Sequence, residues 1–245
     1  MNAVAILTAR LLVSSRLDLV FAVVAPLLGL VGFTLLLRNV IDTGQMNYSQ
    51  YVLPAIVVQA MLFGALTTTD RAAHEKASGM GVRLRTLPIS PYAGLGARMS
   101  YCILRGALAL LASVIGAYLL GFRFTTGIGY ATAFFVLSLT LTLALSLGAD
   151  ATGAKAGRTE VASQLLLVPQ LLLVLLSTGM APVESFPSWL HPFVRYQPIS
   201  QITETLRGFT SGHVDAGNLI TSLGWCVGLL ALCGTIAIRL QGRRP

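Results

Sequence analysis

The sequence predicts an all-α integral membrane protein with six transmembrane helices. Of its 245 residues, 55% are hydrophobic and 11% are charged, and the mean hydropathy is +0.76. Ordinary soluble domains carry about 25% charged residues, so this chain lacks the polar side chains that a water-soluble globule of its size needs on its surface. Lipid is therefore the expected solvent for most of that surface.

Long runs without charge place the expected spans. Because a helix rises about 1.5 Å per residue, crossing a hydrocarbon core of about 30 Å takes about 20 residues. Five runs contain no Asp, Glu, Lys or Arg, and a sixth is long enough if its helix starts near Met99 and includes Arg105. The predicted spans are 19–37, 51–69, 99–122, 124–149, 161–183 and 216–238. No linker separates a soluble domain, so we expect one membrane domain over residues 1–245.

The distribution of Lys and Arg predicts the orientation. Cytoplasmic segments close to a membrane are enriched in these residues. With both termini inside, the inner segments hold twelve of them and the outer segments four. The inner set is Arg10, Arg16, Arg71, Lys76, Arg83, Arg85, Arg98, Lys155, Arg158, Arg239, Arg243 and Arg244, and the outer set is Arg38, Arg123, Arg195 and Arg207. We therefore expect a multi-pass protein of the plasma membrane with both termini in the cytoplasm.

The segment before the first span, 1–18, mixes apolar and basic residues. Such a composition is typical of a helix that lies in the headgroup region before the chain enters the bilayer. The alternative is a frayed start to the first span. The net charge of +8 does not indicate a nucleic-acid binder, because the cations fall between apolar runs rather than along one face.

Two connections depart from a simple span-and-turn pattern. The inner loop 70–98 is long for a connection between helices. The outer segment 179–217 is too apolar for a solvated loop, and its prolines prevent one continuous helix. Its prolines are Pro182, Pro187, Pro192 and Pro198, and its aromatic residues are Phe186, Trp189, Phe193, Tyr196 and Phe209. A re-entrant hairpin of short helices, with Trp and Tyr at headgroup depth, fits this composition.

Both unusual connections carry sequence that resembles a known transporter family. The inner loop reads "HEKASG" and then "VRLRTLPIS", and the outer segment contains "FPSWL", "QPIS" and "ETLRGF" before Gly212. Together with the span pattern, these motifs resemble the membrane subunit of type-2 ABC exporters, most closely the daunorubicin-resistance type of drug or lipid permease in actinobacteria. A typical family loop has an acidic pair before the glycine, where this chain has His74, Glu75 and Lys76.

The resemblance implies two six-helix permease subunits side by side, with a separate ATPase subunit beneath each. In the family, the loop after the second span forms a coupling helix that sits in a cleft of the ATPase. The resemblance therefore implies a docking role for His74, Glu75, Gly79, Val82, Arg83, Leu84, Arg85, Leu87 and Pro88.

The residues of this loop also support docking directly, although they leave an alternative open. Leu and Arg side chains together are typical of an interface centre, and Pro88 ends any short helix at Leu87. Alternatively, Arg83 and Arg85 hold the loop on the inner side by binding anionic headgroups, at about 1 kcal/mol each.

The outer hairpin is expected to form an extracellular gate where the two subunits meet. The predicted gate residues are Pro182, Phe186, Pro187, Trp189, Leu190, Pro198 and Arg207. Inside the spans, Gln59 and Gln170 are candidates for lining a transport pathway, with packing between helices as the alternative. Arg105 lies about 10 Å along its helix from Arg98, and we expect its long side chain to reach back to the cytoplasmic interface. The alternative is a functional charge within the span.

We expect no catalytic, nucleotide or metal site in this chain. The phosphate-binding pattern G-x-x-x-x-G-K-[ST] is absent from the sequence, and none of the three histidines has a second ligand at helical spacing. ATP and magnesium are expected in the partner ATPase. The predicted function is the permease subunit of an ABC exporter for a hydrophobic or amphipathic drug, antibiotic or lipid-like molecule. The alternatives are an ion-coupled or passive carrier, which commonly uses a mid-span carboxylate, and a non-transporting membrane immunity or scaffold protein.

Overall fold

The computed structural model describes residues 3–37, 48–79, 86, 88, 90, 92–124, 127–155, 159–179 and 182–242. Within these ranges all regular secondary structure is helical, so the predicted all-α fold is confirmed. The α-helices are α1 (Ala3–Ser14), α2 (Arg16–Leu37), α3 (Tyr48–Ala77), α4 (Ala93–Leu119), α5 (Ile128–Lys155), α6 (Thr159–Leu175), α7 (His191–Tyr196), α8 (Pro198–Ser211) and α9 (Ala216–Gly242). Two 3₁₀ turns, Val183–Ser185 and Ser188–Leu190, precede α7.

Among the described residues, five helices are long and apolar enough to cross a membrane, namely α2, α3, α4, α5 and α9. The remaining predicted span, 161–183, corresponds to α6. This helix has 17 residues and ends at Leu175, which is short of the roughly 20 residues that a crossing needs. The count of six crossings therefore stays a prediction.

The helices extend beyond the uncharged runs from which the spans were predicted. Helix α3 continues to Ala77 and α4 already starts at Ala93, so the connection between them is 78–92 and not 70–98. Helix α5 likewise continues to Lys155. The added turns carry charged residues, and a helix tolerates these where its charges are paired or reach water.

Helix α3 is the centre of the bundle. Its most apolar 18-residue stretch is 83% buried, whereas the corresponding stretch of α9 is 11% buried. It packs against α2, α4, α5, α6 and α8, and its fully buried Leu53, Val57 and Met61 join Leu110 of α4 and Leu206 of α8 in one core. Helix α9 instead packs on the outside, against α5 and α8.

Helix α1 is a separate element that packs along α4. The Thr8 hydroxyl lies 3.4 Å from the Ala97 carbonyl oxygen, and Gly96 lies against Val4. This arrangement agrees with a distinct helix before the first span. Its predicted position in the headgroup region stays a prediction.

Helices α3, α4 and α5 approach one another closely at glycines, which have no side chain to keep the backbones apart. A Cβ on Gly153 of α5 would fall inside contact distance of the Thr69 carbonyl oxygen, which belongs to the α3 backbone. A Cβ on Gly106 of α4 would lie 2.8 Å from Cγ2 of Thr142. Because backbone cannot move aside as a flexible side chain can, Gly153 fixes the distance between α3 and α5.

We expect Gly153→Ala to destabilise the protein by about 1–3 kcal/mol, the usual cost of overpacking a well-packed contact. The added methyl group forces α5 away from α3. Thermal unfolding of the purified protein in detergent measures the effect.

Gly129→Ala is the matched control, since Gly129 lies in the first turn of α5 with open space around it. Its stability should stay constant or rise by at most about 1 kcal/mol, because alanine favours helix over glycine. Equal thermal stability of the two variants would contradict the close contact at Gly153.

Candidate functional site

Seven side chains from four helices form a network at one end of the bundle, which we call the ion-pair cluster. They are Asp18 of α2, Arg71 and Glu75 of α3, Arg98, Tyr101 and Arg105 of α4, and Asp150 of α5. At this end α3 and α4 are joined by the connection 78–92. The cluster therefore lies at the ends of α3 and α4 between which the predicted docking residues are found.

Arg98 joins three helices in one half of the cluster. Its Nε and Nη2 donate to the two carboxylate oxygens of Asp150 at 2.5 and 3.1 Å, and its Nη1 donates to Glu75 at 3.1 Å. The Asp150 side chain is only 2% exposed. A two-pronged pair of this kind fixes orientation as well as distance, so α3, α4 and α5 are tied together beside the loop.

Asp18 holds the other half of the cluster together. Its carboxylate accepts from Nε of Arg105 at 3.0 Å and from the Tyr101 hydroxyl at 2.7 Å. Arg71 lies 3.5 Å from the same carboxylate and places its guanidinium over the Tyr101 ring, 4.1 Å from the centroid. This half links the start of α2 to α3 and α4.

The cluster is electrically balanced, because three arginines face three carboxylates. Charged groups in a membrane protein are costly unless they are paired or reach water. Removing one partner of a buried pair leaves the other charge uncompensated, which costs about 3–5 kcal/mol. The balance explains why charged residues can occupy the ends of these helices.

Arg105 is 6% exposed and pairs with Asp18 near the start of α2. Its predicted reach to the cytoplasmic interface stays a prediction. Gly64 of α3 provides the space, since a Cβ at Gly64 would lie 2.6 Å from Nη1 of Arg105. Sequence reasoning missed Asp18 and Asp150 because each lies just outside an uncharged run. Their position one turn or less from a span end, opposite arginines in neighbouring spans, was the available signal.

The structure describes four of the predicted docking residues. His74 is exposed in the last turn of α3, and Pro88 is exposed in the connection. Gly79 adopts a φ of +69°, which ends α3 in a conformation that other residues rarely adopt. Glu75 points to Arg98 and not to solvent alone. Outside the described residues lie Val82, Arg83, Leu84, Arg85 and Leu87, and their docking role stays a prediction.

Arg207 occupies a buried position at the opposite end of the bundle. It pairs with Glu204 at 2.6 Å and stacks over the Tyr51 ring of α3, 3.9 Å from the centroid. It also donates to the Thr178 carbonyl oxygen at 3.3 Å. Although sequence counting assigned Arg207 to a connection, it joins α8 to α3 and to the turn after α6.

The "QPIS" motif connects α8 to the same turn. The Gln197 amide donates to the Leu176 carbonyl oxygen, and the Ser200 hydroxyl accepts from the Thr178 amide at 3.1 Å. Pro198 is the first residue of α8, where its missing N–H costs nothing. The motif is therefore a helix start whose polar side chains bind the preceding chain.

The remaining predicted gate residues lie near the surface. Trp189 is 76% exposed, and Pro182 and Pro187 are also exposed. Phe186 and Leu190 are half-buried around the two 3₁₀ turns. Arg207 is buried, whereas these residues are exposed or half-buried. Their common role as a gate stays a prediction.

Gln59 and Gln170 line different cavities. Gln59 faces a cavity of about 110 Å³ between α2 and α3, which Arg105 also lines. Gln170 faces an open cavity of about 250 Å³ that is lined by α3, α5, α6 and α9. The two glutamines thus line separate cavities, and their predicted role in a transport pathway stays a prediction.

Comparison with known proteins identifies the family. A family model described as "ABC-2 family transporter protein" matches residues 6–239. The chain is 32% identical over 208 residues to the doxorubicin resistance ABC transporter permease protein DrrB of Mycobacterium tuberculosis, covering 81% of this chain and 71% of that protein. It is 29% identical over 226 residues to the daunorubicin resistance ABC transporter permease protein DrrB1 of Streptomyces coeruleorubidus, covering 91% and 79%.

We expect Asp150→Asn to lower the free energy of unfolding by about 3 kcal/mol. This is the lower end of the cost of breaking a buried ion pair, because Glu75 still neutralises Arg98. Chemical or thermal unfolding in detergent measures the loss.

Asp215→Asn provides the control for removing a carboxylate charge. Asp215 is exposed, and its carboxylate accepts a hydrogen bond from the backbone N–H of Asn218 at 2.9 Å at the start of α9. An asparagine side chain at position 215 can accept the same bond. A loss for Asp150→Asn no larger than that of the control would show that the cluster does not hold the helices together.

Proposed function

The chain belongs to the ABC-2 family of transporter proteins, and from this premise we propose that it is the membrane subunit of an exporter driven by a separate ATPase. The observation that carries the proposal is the family match, which spans residues 6–239 and so takes in both ends of the bundle. The relatives named above are permease proteins of ABC transporters for doxorubicin or daunorubicin resistance. Export of such compounds is proposed for this chain by analogy with them.

Membership of the family implies two kinds of protein partner. A permease of this class works with an ABC ATPase and with a second permease subunit. We propose that ATP and magnesium bind only in the ATPase and that this chain contributes no catalytic group. The predicted docking residues, from His74 to Pro88, would then form the contact through which the hydrolysis cycle reaches the membrane.

The ion-pair cluster supports a specific route for that motion. Arg98 binds Asp150 and Glu75 at the end of the bundle where the loop is attached. A force on the loop therefore acts on α3, α4 and α5 together and not on one helix alone. We propose that these three helices move as one near-rigid body when the ATPase closes.

The arrangement in the cell is also proposed. Both termini and the connection 78–92 lie on the cytoplasmic side of the plasma membrane, with α6 completing six crossings. This assignment rests on the distribution of Lys and Arg, since it places twelve of them in cytoplasmic segments and four in outer segments. The segment 182–215 would then face outward.

At the outward end, the exposed Trp189 and the two 3₁₀ turns are suited to a gate at the contact between two permease subunits. Aromatic side chains of this kind are common in interface centres. The cargo would be a hydrophobic or amphipathic compound. Doxorubicin, which appears in the names of relatives, is the first compound to test.

We expect Leu84→Asp or Arg83→Glu to abolish ATP-dependent doxorubicin export while the permease still inserts and folds. A carboxylate in the docking loop would weaken the contact with the ATPase. Inverted membrane vesicles containing the permease and its ATPase, assayed for doxorubicin uptake and for ATPase pull-down, test this directly.

Ser90→Asp introduces the same charge outside the predicted docking residues, in an exposed position. It should leave both export and pull-down near the wild-type level. Unchanged export and unchanged pull-down in Leu84→Asp and Arg83→Glu would refute docking through this loop.

The gate makes a separate prediction. Trp189→Ala should change the rate of doxorubicin export without changing recovery of the ATPase, because Trp189 lies at the end of the bundle opposite the docking loop. The same vesicle assay and pull-down measure both effects. Loss of ATPase recovery, or export at the wild-type rate, would contradict a gating role.

A further inference from the structure

The cavity between α2 and α3 has one charged end and one apolar end. Along α2 it runs from Phe21 and Ala22 to Gly29 and Phe33, a distance of about 18 Å for twelve residues. Along the antiparallel α3 it runs from Phe63 to Ile56, and Arg105 of α4 closes the end beside Phe21 and Phe63. Its shape is that of a groove with a cation at one end.

Small residues on one face of α2 create this groove. Ala22, Ala25 and Gly29 recur at helical spacing on the face that lines it. Gly29 lies close to α3, since a Cβ there would lie 3.3 Å from Cδ1 of Ile56. The exposed rings of Phe21 and Phe63 stand on either side of the opening.

Two polar groups in the groove have unused hydrogen-bonding capacity. Arg105 is 6% exposed, and Asp18 engages only its Nε. Gln59 forms no hydrogen bond with any residue that the structure describes. Because Arg71 and Arg105 share the single carboxylate of Asp18, this half of the cluster carries one net positive charge. The buried guanidinium of Arg105 can therefore donate hydrogen bonds to an anion, and the net positive charge around it favours that anion.

The volume of the groove indicates how much of a ligand it holds. Pockets that enclose a drug-sized molecule measure about 300–1,000 Å³, whereas this groove measures about 110 Å³. It can therefore hold only part of a ligand, with the rest lying against the exposed faces of α2 and α3. A molecule already resident in the bilayer meets this condition, because its remaining chain stays in lipid.

We propose that this groove binds an anionic phospholipid, with the phosphate at Arg105 and Gln59 and one acyl chain lying along α2 towards Phe33. The site is separate from the docking loop and from the outer segment. It does not depend on the proposed export function, since the groove lies within one subunit.

Native mass spectrometry of the purified full-length chain tests the proposal. The protein is released from micelles that contain dioleoyl phosphatidylglycerol or dioleoyl phosphatidylcholine at the same concentration. We expect one phosphatidylglycerol to be retained about tenfold more than phosphatidylcholine. Both lipids carry the phosphate, but the quaternary ammonium of phosphatidylcholine is repelled by the net positive charge of this half of the cluster.

Gly29→Leu fills the groove and leaves every charge in place, so it should lower phosphatidylglycerol retention to the phosphatidylcholine level. Gly32→Leu is the matched control, because Gly32 lies on the same helix, does not line the groove and has nothing within 4 Å. It should retain the lipid as the wild type does. Arg105→Gln should abolish the preference for phosphatidylglycerol, and Asp18 keeps Arg71 and Tyr101 as partners in that variant.

Equal retention of both lipids by the wild type would overturn the proposal, as would equal losses in Gly29→Leu and Gly32→Leu. Loss of a permease dimer in Gly29→Leu with unchanged lipid retention would assign the groove to a second copy and would also overturn it. The measurement contains no ATPase, so its failure leaves the vesicle export assay to decide the proposed function separately.

Discussion

The requirement that buried charges be paired governs the arrangement of this bundle. Asp18 and Asp150 enter helices of a membrane protein, and each is neutralised by an arginine from α4. An unpaired charge in this position costs several kcal/mol. Helices α2 and α5 are therefore held against α4 at one end, and α3 joins them through Arg71 and Glu75.

Buried charges are paired in different ways at the two ends of the bundle. At one end, carboxylates and arginines from four helices form the balanced ion-pair cluster. At the other end, Arg207 pairs within its own helix and stacks on Tyr51, while Gln197 and Ser200 bind the chain after α6. The first arrangement links long helices to one another, and the second fixes short elements onto the central helix α3. The cluster thus stiffens one end of the bundle, whereas the end around Arg207 is built of short elements.

The helices could be predicted from the sequence because apolar runs are local, but the cluster could not. Arg98 and Asp150 are 52 residues apart, and Arg105 and Asp18 are 87 apart. The sequence shows that these carboxylates and arginines lie near span ends, but it does not show which of them pair. The spans were predicted from uncharged runs, so each stopped short of the charged residue beside it. Asp18 and Asp150 were therefore left out of the predicted spans. The "QPIS" motif was recognisable by resemblance, while its role in binding the chain after α6 required the structure.

The central claim is that α3, α4 and α5, which the ion-pair cluster joins, move as one body. Spin labels on the exposed Ala77 of α3 and Lys155 of α5, with the three native cysteines replaced, allow double electron–electron resonance to measure their separation. The account predicts the same distance with and without ATP bound to the partner, while the distance between the Ala77 labels of two permease subunits changes. A change in the Ala77–Lys155 distance within one subunit would contradict it.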